Sequence, residues 1–139
     1  MFMAVSYTTY YRLFIDDYLP SEIEYILYVD ADIVCKKDIS IDLQNEIVKL
    51  KNSDFTISAR TEVPKVKINE PHWERLNLQG QRYFNAGVML INFKKWREND
   101  LSKKLQDHLE KIKKVIKYWD QDVLNSFFEI MSYYKELRG

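Results

Sequence analysis

Two aspartates separated by one alanine are the residues of this chain best suited to metal chemistry. Asp30 and Asp32 end the apolar run Tyr25–Val29. That run is too short for an ordinary helix, so we predict a buried, parallel strand. If the backbone stays extended through Asp32, both carboxylates face one side while Ala31 faces the other. Because two acids this close repel each other, they suit a Mg²⁺ or Mn²⁺ ion, which binds one or two carboxylates together with water and diphosphate oxygens.

Other interpretations of this acid pair stay open. In the simplest, one carboxylate caps a turn and the other is solvated. The position favours a ligand site, because open α/β sheets bind ligands beyond the carboxyl ends of their strands. An aspartyl-phosphate phosphohydrolase fits poorly, since it needs Gly-Thr or a similar pair where Ile33-Val34 stands. A calcium loop beginning at Asp30 also fits poorly, since it needs Gly and Glu where Cys35 and Ile41 stand.

An amide and two minimal side chains come before a second apolar run. Asn85-Ala86-Gly87 directly precedes residues 88–91, which we predict to be another buried strand. Gly87 lets a backbone or a ligand approach closely. Asn85 offers the donor and the acceptor that orienting a sugar hydroxyl requires. An ordinary turn residue is the other interpretation of Asn85.

A third polar cluster, Asp120-Gln121-Asp122, lies between two apolar helical stripes. Acids at a helix N-terminus complement the helix dipole, which is one explanation. The other explanation is that the cluster forms the base of a sugar-binding site, and the spacing is compatible with both. Arg12 lies four residues before Asp16, so a surface ion pair within a helix is its simplest interpretation.

The elements that must position these residues follow from periodicity. Apolar spacing and capping residues predict helices at residues 6–18, at residues 39–50, from an Asn99 or Asp100 cap to Trp119, and again from residue 123. His108 falls beside the stripe of the third helix, on a face predicted to be solvated.

Three shorter segments complete this interpretation. Residues 55–59 alternate and predict a strand. Residues 92–98 predict a short helical turn with Trp96 packed inward. Residues 61–81 have no period and two prolines, which predicts a long exposed loop with a solvated His72.

The composition is that of one globular domain with a real core. Hydrophobic residues make up 46% of the 139 residues and charged residues 30%, which excludes a disordered chain. The 21 basic and 21 acidic side chains balance, so nothing favours nucleic acid as a partner. The lone Cys35 excludes an internal disulfide, fits a reducing compartment and is predicted to be buried. No apolar run approaches the length of a bilayer, and no signal peptide is recognisable, so we expect a cytoplasmic protein.

Three motifs in this order resemble the family 8 retaining glycosyltransferases. They are Tyr-Val-Asp30-Ala-Asp32, the stretch Phe84-Asn-Ala-Gly-Val-Met-Leu-Ile-Asn92 with the following Lys-Lys-Trp96, and Trp119-Asp-Gln-Asp-Val-Leu-Asn125. The family includes bacterial lipopolysaccharide galactosyl- and glucosyltransferases and the glycogenins. The resemblance implies an α/β nucleotide-diphospho-sugar transferase fold of the GT-A, Rossmann-like type, with a mostly parallel sheet flanked by helices. Residues 1–139 would form a single partial domain, incomplete at both ends.

The resemblance also implies a role for individual residues. Asp30 and Asp32 would bind Mn²⁺ or Mg²⁺, with Asp30 also near the ribose of the nucleotide. Asp120 would bind hydroxyls of the donor sugar, and Gln121 would lie beside the anomeric carbon, so these two are the implied catalytic residues. The implied donor-binding residues are Arg12, Asp30, Ala31, Asp32, Asn85, Ala86, Asp120 and Gln121.

The implied reaction moves glucose or galactose from a UDP-sugar to a saccharide or lipopolysaccharide-type acceptor, with retention of configuration. Because the amide of Gln121 is a poor nucleophile, the family implies a front-face reaction in which the departing phosphate helps to deprotonate the acceptor. The alternative is a non-catalytic nucleotide-sugar-binding or structural module.

We expect an internal fragment of a longer enzyme, because two parts of the family pattern are missing. These are the opening strand, helix and strand, and a late segment whose histidine is the third protein ligand of the metal. His72 and His108 stand elsewhere and do not replace that histidine. An exposed sheet edge would favour self-association. Peripheral attachment to the inner face of a bacterial membrane would depend on the missing segments.

Overall fold

The computed structural model describes residues 7–64, 72–80, 82–131 and 134–136, in which four strands form one open sheet flanked by helices. The strands are β1 (Tyr25–Val29), β2 (Ile57–Pro64), β3 (Arg82–Asn92) and β4 (Tyr134–Glu136), in the spatial order β1-β3-β2-β4. The helices are a 3₁₀ helix η1 (Tyr7–Asp17), α1 (Ser40–Lys51), α2 (His72–Leu76), α3 (Phe93–Glu98), α4 (Leu101–Ile112) and α5 (Trp119–Met131). The predicted α/β architecture is confirmed.

The prediction of a mostly parallel sheet was wrong for the described strands. Both β1 and β2 pair with β3 in antiparallel fashion, and only β2 and β4 are parallel neighbours. The apolar runs had suggested parallel strands because such runs report burial of both faces. Consecutive Met89, Leu90 and Ile91 are indeed all buried. Burial therefore does not decide strand direction, because helices α1, α3 and α5 all contact the antiparallel strand β3.

Strand β3 carries a bulge next to the predicted site. Its pairing with β1 runs unbroken from Asn92 to Val88, but its pairing with β2 jumps from Met89, opposite Ala59, to Asn85, opposite Arg60. Residues 86–88 therefore have no partner residue on β2. Bulges free backbone groups from the ladder and are common beside functional sites.

The main core lies between the sheet, η1 and the helices α3 to α5. Its fully buried side chains include Leu13, Phe93, Trp96, Leu105 and Phe128. The prediction that Trp96 packs inward is confirmed, and its indole nitrogen donates a hydrogen bond to the Ser102 hydroxyl at 2.9 Å.

Several predicted helices agree with the structure, and their details differ. The first forms as a 3₁₀ helix that breaks at Phe14. Helix α4 begins after Asp100 as predicted, but Asp100 is left-handed at φ 52° and its side chain makes no capping bond. The helix ends at Ile112, well before Trp119. His108 does not lie on a solvated face, because it is half-buried with its Nε2 2.6 Å from the Ser126 hydroxyl.

The prediction of a long exposed loop at residues 61–81 was wrong in part. Strand β2 continues to Pro64, and α2 begins at His72; residues 65–71 and 81 lie outside the described residues. A second, smaller core lies in this part of the chain and consists of buried Trp73, Leu76, Leu78 and Tyr83. The polar composition of the segment concealed these apolar residues, because they are too few and too irregular to set a period.

No helix in the parts of the chain that the structure describes is both long enough and apolar enough to cross a bilayer.

Candidate functional site

An open cleft of about 810 Å³ lies between η1, the end of β1 and the start of α5. Its polar lining includes Arg12, Asp30, Asp120 and Gln121. Four of the predicted donor-binding residues, which are far apart in the sequence, therefore share one cavity.

Arg12 ties three elements together at the floor of this cleft. Its Nε donates to the carboxylate of Asp120, and its Nη1 donates to the backbone carbonyl of Ala86. The guanidinium lies 4.6 Å from the ring centre of Tyr28. Burial lowers the pKa of Arg12, and the charges of Tyr28 and Asp30 oppose that shift. The surface ion pair with Asp16 is not formed, because Arg12 points toward α5 instead.

The first turn of α5 is bonded to strand β3. The Oε1 atom of Gln121 accepts a hydrogen bond from the Ala86 amide at 3.0 Å. The bulge in β3 leaves this amide without a partner residue on β2. Asn125, one turn later, accepts from the Phe84 amide at 2.7 Å and donates to the Phe84 carbonyl at 2.8 Å. These bonds set the position of Gln121 and Asp120 relative to the sheet.

Asp122 is fully buried and is not among the residues that line the cleft. It accepts hydrogen bonds from Arg75 at 2.6 and 3.2 Å, from the Tyr83 hydroxyl at 2.7 Å, and from the amides of Lys117 and Tyr118 at 2.7 and 2.8 Å. The structure thus separates two acids that the spacing left undecided. Asp120 lines the cleft, whereas Asp122 lies in the interior and bonds α5 to Arg75 and Tyr83.

These contacts set the protonation states of the cluster. Burial alone would raise the pKa of Asp122, but the donors from Arg75 and from the amides of Tyr118 and Lys117 outweigh it and hold that pKa below its ordinary value. Burial and the charge of Asp122 raise the pKa of Tyr83, so its hydroxyl remains a donor. Asp122 is therefore ionised and Tyr83 neutral at ordinary pH.

Trp119, the first residue of α5, has a left-handed backbone with φ 44°. A bulky residue rarely adopts this conformation, and such strain persists only where surrounding contacts enforce it. Here the bonds of Asp120, Gln121 and Asp122 supply that enforcement. The conformation turns the chain sharply into the helix at the edge of the cleft.

The chain turns immediately after β1, so the extended backbone assumed for the first acid pair is not present. The Asp30 amide donates to the Gly87 carbonyl at 2.8 Å, and the Ile33 amide donates to the Asp30 carbonyl at 3.1 Å, which closes a turn. Ala31 and Asp32 are exposed within it. Asp30 is half-buried and accepts from the Tyr28 hydroxyl at 2.9 Å.

Gly87 leaves space for two side chains beside it, whereas the sequence had suggested the approach of a backbone or a ligand. A Cβ atom at this position would lie 2.6 Å from Oδ2 of Asp30 and 2.8 Å from Oδ1 of Asn85. Asn85 is exposed, and its Oδ1 accepts from the Gly87 amide at 2.7 Å. Gly87 therefore lets the acid turn and the asparagine approach each other.

The donor set of the acid turn fits a hard divalent cation in part. The Asp32 carboxylate has no hydrogen-bond or ion-pair partner among the described residues, and the Asp30 carboxylate accepts only from the Tyr28 hydroxyl. Two carboxylates with free oxygens suit Mn²⁺ or Mg²⁺, whose shell water and ligand oxygens complete. The described residues contain no group of three His, Cys, Asp or Glu side chains placed to hold a metal. Asp30 and Asp32 are therefore the two carboxylates that this turn offers to an ion.

Cys35 follows this turn and is exposed, which makes the prediction of a buried cysteine wrong. Its thiol donates to the Lys37 carbonyl at 2.9 Å. The prediction relied on the average behaviour of free cysteine, whereas the segment after β1 projects into solvent.

Sequence reasoning assigned no site role to four residues that the structure places around the predicted ones. Tyr28 has a recognisable signal, since it lies on the predicted strand two residues before Asp30. Asn125 lies four residues after Gln121 and so shares its helix face. Tyr83 and Arg75 had no signal, because their bonds to Asp122 span 39 and 47 residues.

Known proteins resemble this chain along nearly its whole length. The model of glycosyl transferase family 8 matches residues 3–135. A lipopolysaccharide 1,2-glucosyltransferase of Escherichia coli is 39% identical over 124 residues, covering 86% of this chain and 34% of that protein. A lipopolysaccharide 1,3-galactosyltransferase of Salmonella typhimurium is 34% identical over 126 residues, covering 88% and 36%.

A solved structure shows the same fold. The galactosyltransferase LgtC, crystallised with donor and acceptor sugar analogues, superimposes with a TM-score of 0.78 at 30% identity, covering 96% of this chain and 45% of that one. This likeness confirms the predicted GT-A type of α/β fold. The chain spans about a third of the length of the curated relatives above. Since the family model covers almost every residue, the chain belongs to glycosyl transferase family 8.

Proposed function

We propose that this chain forms most of the donor site of a metal-dependent, retaining hexosyltransferase. The enzyme would move glucose or galactose from a UDP-sugar to a saccharide or lipopolysaccharide-type acceptor. The names of the lipopolysaccharide relatives and the sugar analogues bound to LgtC support this substrate class. The observation that carries the proposal is the meeting of Arg12, Asp120 and Gln121 with Asp30 in one cleft.

Arg12 would bind the diphosphate and orient Asp120. Two of its nitrogens hold Asp120 and Ala86, while Nη2 has no partner among the described residues. A guanidinium anchored in this way presents a charged donor at little further entropic cost. Asp120 uses Oδ2 for Arg12, and its other oxygen would accept from hydroxyls of the donor sugar.

Gln121 would position the sugar rather than attack it. Its amide is neutral and is bonded through Oε1 to the Ala86 backbone. We therefore assign retention to a front-face reaction in which the leaving phosphate helps to deprotonate the acceptor. The contribution of the chain is orientation of the reacting groups.

Asp30 and Asp32 would hold Mn²⁺ or Mg²⁺. A bound divalent ion would stabilise the negative charge that develops on the departing diphosphate. The Tyr28 hydroxyl, which donates to Asp30, would orient that carboxylate in the way that outer partners orient metal ligands.

Calorimetric titration of UDP-glucose and UDP-galactose, with and without Mn²⁺, tests this proposal. We expect saturable binding that requires the metal, and Asp32→Asn should weaken it about tenfold or more. Asp42→Asn is the matched control, because Asp42 is also exposed but lies on α1. Binding that is independent of metal, or equally weakened by both substitutions, would contradict the proposal.

A further inference from the structure

A nine-residue segment from the last turn of α4 to the first residue of α5 concentrates positive charge at one place on a neutral chain. Residues 111–119, the basic segment, read Lys-Ile-Lys-Lys-Val-Ile-Lys-Tyr-Trp and contain four lysines and no acid. The chain as a whole has equal numbers of basic and acidic side chains, so this charge is balanced elsewhere. Such local asymmetry is typical of surfaces that bind an anionic partner.

Two isoleucines anchor the basic segment and leave its other side chains outside. Ile112 and Ile116, four residues apart, are half-buried and pack against the main core. The remaining seven residues are all exposed. Among the described residues, only Lys113 of the four lysines forms an ion pair, with Glu110 at 2.6 Å. Lys117 also lies 5.2 Å from the ring centre of Tyr118, and both side chains remain exposed. Lys111 and Lys114 are exposed and form no ion pair with the described residues.

The basic segment also exposes large apolar side chains. Val115 and Tyr118 are each 39% exposed, and Trp119 is 40% exposed. Lysines beside tryptophan and tyrosine are the side chains that settle at the headgroup level of a bilayer, with the rings among the headgroups and the cations on anionic lipid phosphates. An exposed valine would gain no favourable contact with a polyanion such as nucleic acid, whose surface is charged and hydrated.

We propose that the basic segment docks this protein on an anionic lipid bilayer. Lipid binding by this segment requires neither a sugar donor nor a metal ion. Because Tyr118 and Trp119 also line the cleft, docking brings the opening of the cleft next to the membrane. There a lipid-borne saccharide acceptor would be within reach, and only this last step rests on the proposed function.

Sedimentation with lipid vesicles tests the docking. We expect binding to vesicles that mix phosphatidylcholine with phosphatidylglycerol, none to phosphatidylcholine alone, and release as salt rises. Each lysine near such a surface changes the partition about fivefold, so replacing Lys111, Lys113, Lys114 and Lys117 with Gln should lower it roughly a hundredfold or more. The matched control replaces Lys36, Lys37, Lys51 and Lys94, four exposed lysines elsewhere, and should remain within about tenfold of the wild type. Equal losses in the two variants would overturn the proposal.

Tryptophan fluorescence identifies the contacting segment directly. Trp73 and Trp96 are 6% and 1% exposed, so Trp119 is the accessible indole of the three. Vesicles containing brominated phosphatidylcholine should quench its emission, and Trp119→Phe should remove the quenching. Vesicle binding without quenching would overturn the proposal, as would binding to heparin with none to anionic vesicles.

Nucleotide binding by the lysine variant separates this proposal from the proposed function. Loss of vesicle binding with intact Mn²⁺-dependent UDP-sugar binding supports the docking surface alone. Vesicle binding that persists in a chain unable to bind nucleotide would contradict only the proposed function.

Discussion

The chain contains two Asp-x-Asp sequences, and the fold gives them opposite surroundings. Asp30 and Asp32 lie in an open turn after β1, where Asp32 is exposed without a described partner. Asp120 and Asp122 lie in the first turn of α5, where both are buried and bonded to arginines. Identical spacing thus serves two purposes. One pair leaves carboxylate oxygens exposed to solvent, and the other bonds α5 to the elements around it.

The difference follows from desolvation. Burying a carboxylate costs its hydration energy, and hydrogen-bond donors must compensate that loss. Asp122 accepts such bonds from Arg75, Tyr83 and two backbone amides. An exposed carboxylate such as Asp32 needs no such partners, because water solvates its charge. The open motif therefore keeps its oxygens in solvent, whereas the bonds of the buried motif fix the first turn of α5 beside the cleft.

The largest test of this contrast is the stability of Asp122→Asn. Removing the charge leaves Arg75 without its buried partner, so the free energy of unfolding should fall by about 3–5 kcal/mol. Asp32→Asn should change it by less than about 0.5 kcal/mol, because that residue is exposed. Urea unfolding followed by circular dichroism measures both. Similar losses in the two variants would show that the motifs do not differ as described.

A substitution at Gly87 tests the open motif with little effect on the fold. The methyl group of Gly87→Ala would collide with the carboxylate of Asp30 and the amide of Asn85, and both side chains can rotate away. Mn²⁺-dependent UDP-sugar binding should therefore fall about tenfold, while unfolding changes by about 1 kcal/mol or less.

Gly80→Ala is the matched control for that substitution. A methyl group there would displace Glu129, whose carboxylate accepts from the amides of Gln79 and Gly80. This variant should lose stability and keep its nucleotide affinity. The reverse pattern in the two variants would contradict the roles given to the two glycines.

The smallest expected effect is the acid dependence of the buried motif. The pKa of Asp122 is lower in the folded chain than in the unfolded one. Its ionisation therefore contributes stability that is fully present above the unfolded value of about 3.9 and is lost as pH falls through the folded value. The difference in free energy of unfolding between wild type and Asp122→Asn should be constant from pH 5 to pH 7. It should become smaller below about pH 4. Thermal unfolding at a series of pH values measures it, and narrowing near neutral pH would contradict the assignment.

Much of the fold could be predicted from local sequence, because periodicity and capping depend on neighbouring residues. Helices α1 and α3 and the strands β1, β2 and β3 were located in this way. The prediction that β1 is buried was wrong, because its first four residues are half-buried and Val29 is exposed. The direction of the strands could not be found, because an apolar run reports burial and not the direction of its partner. The turn at Ala31 stayed one of two alternatives, since nothing in the tripeptide distinguishes an extended backbone from a bent one.

The sequence by itself determined which residues could carry the chemistry, through their types and their order along the chain. Only the tertiary structure decided their partners. It joined Arg12 to Asp120 across 108 residues and Arg75 to Asp122 across 47. The physical reason is that a carboxylate's role is set by what surrounds it. Those surroundings come from the packing of η1, α2 and β3 around the first turn of α5, which no local pattern encodes.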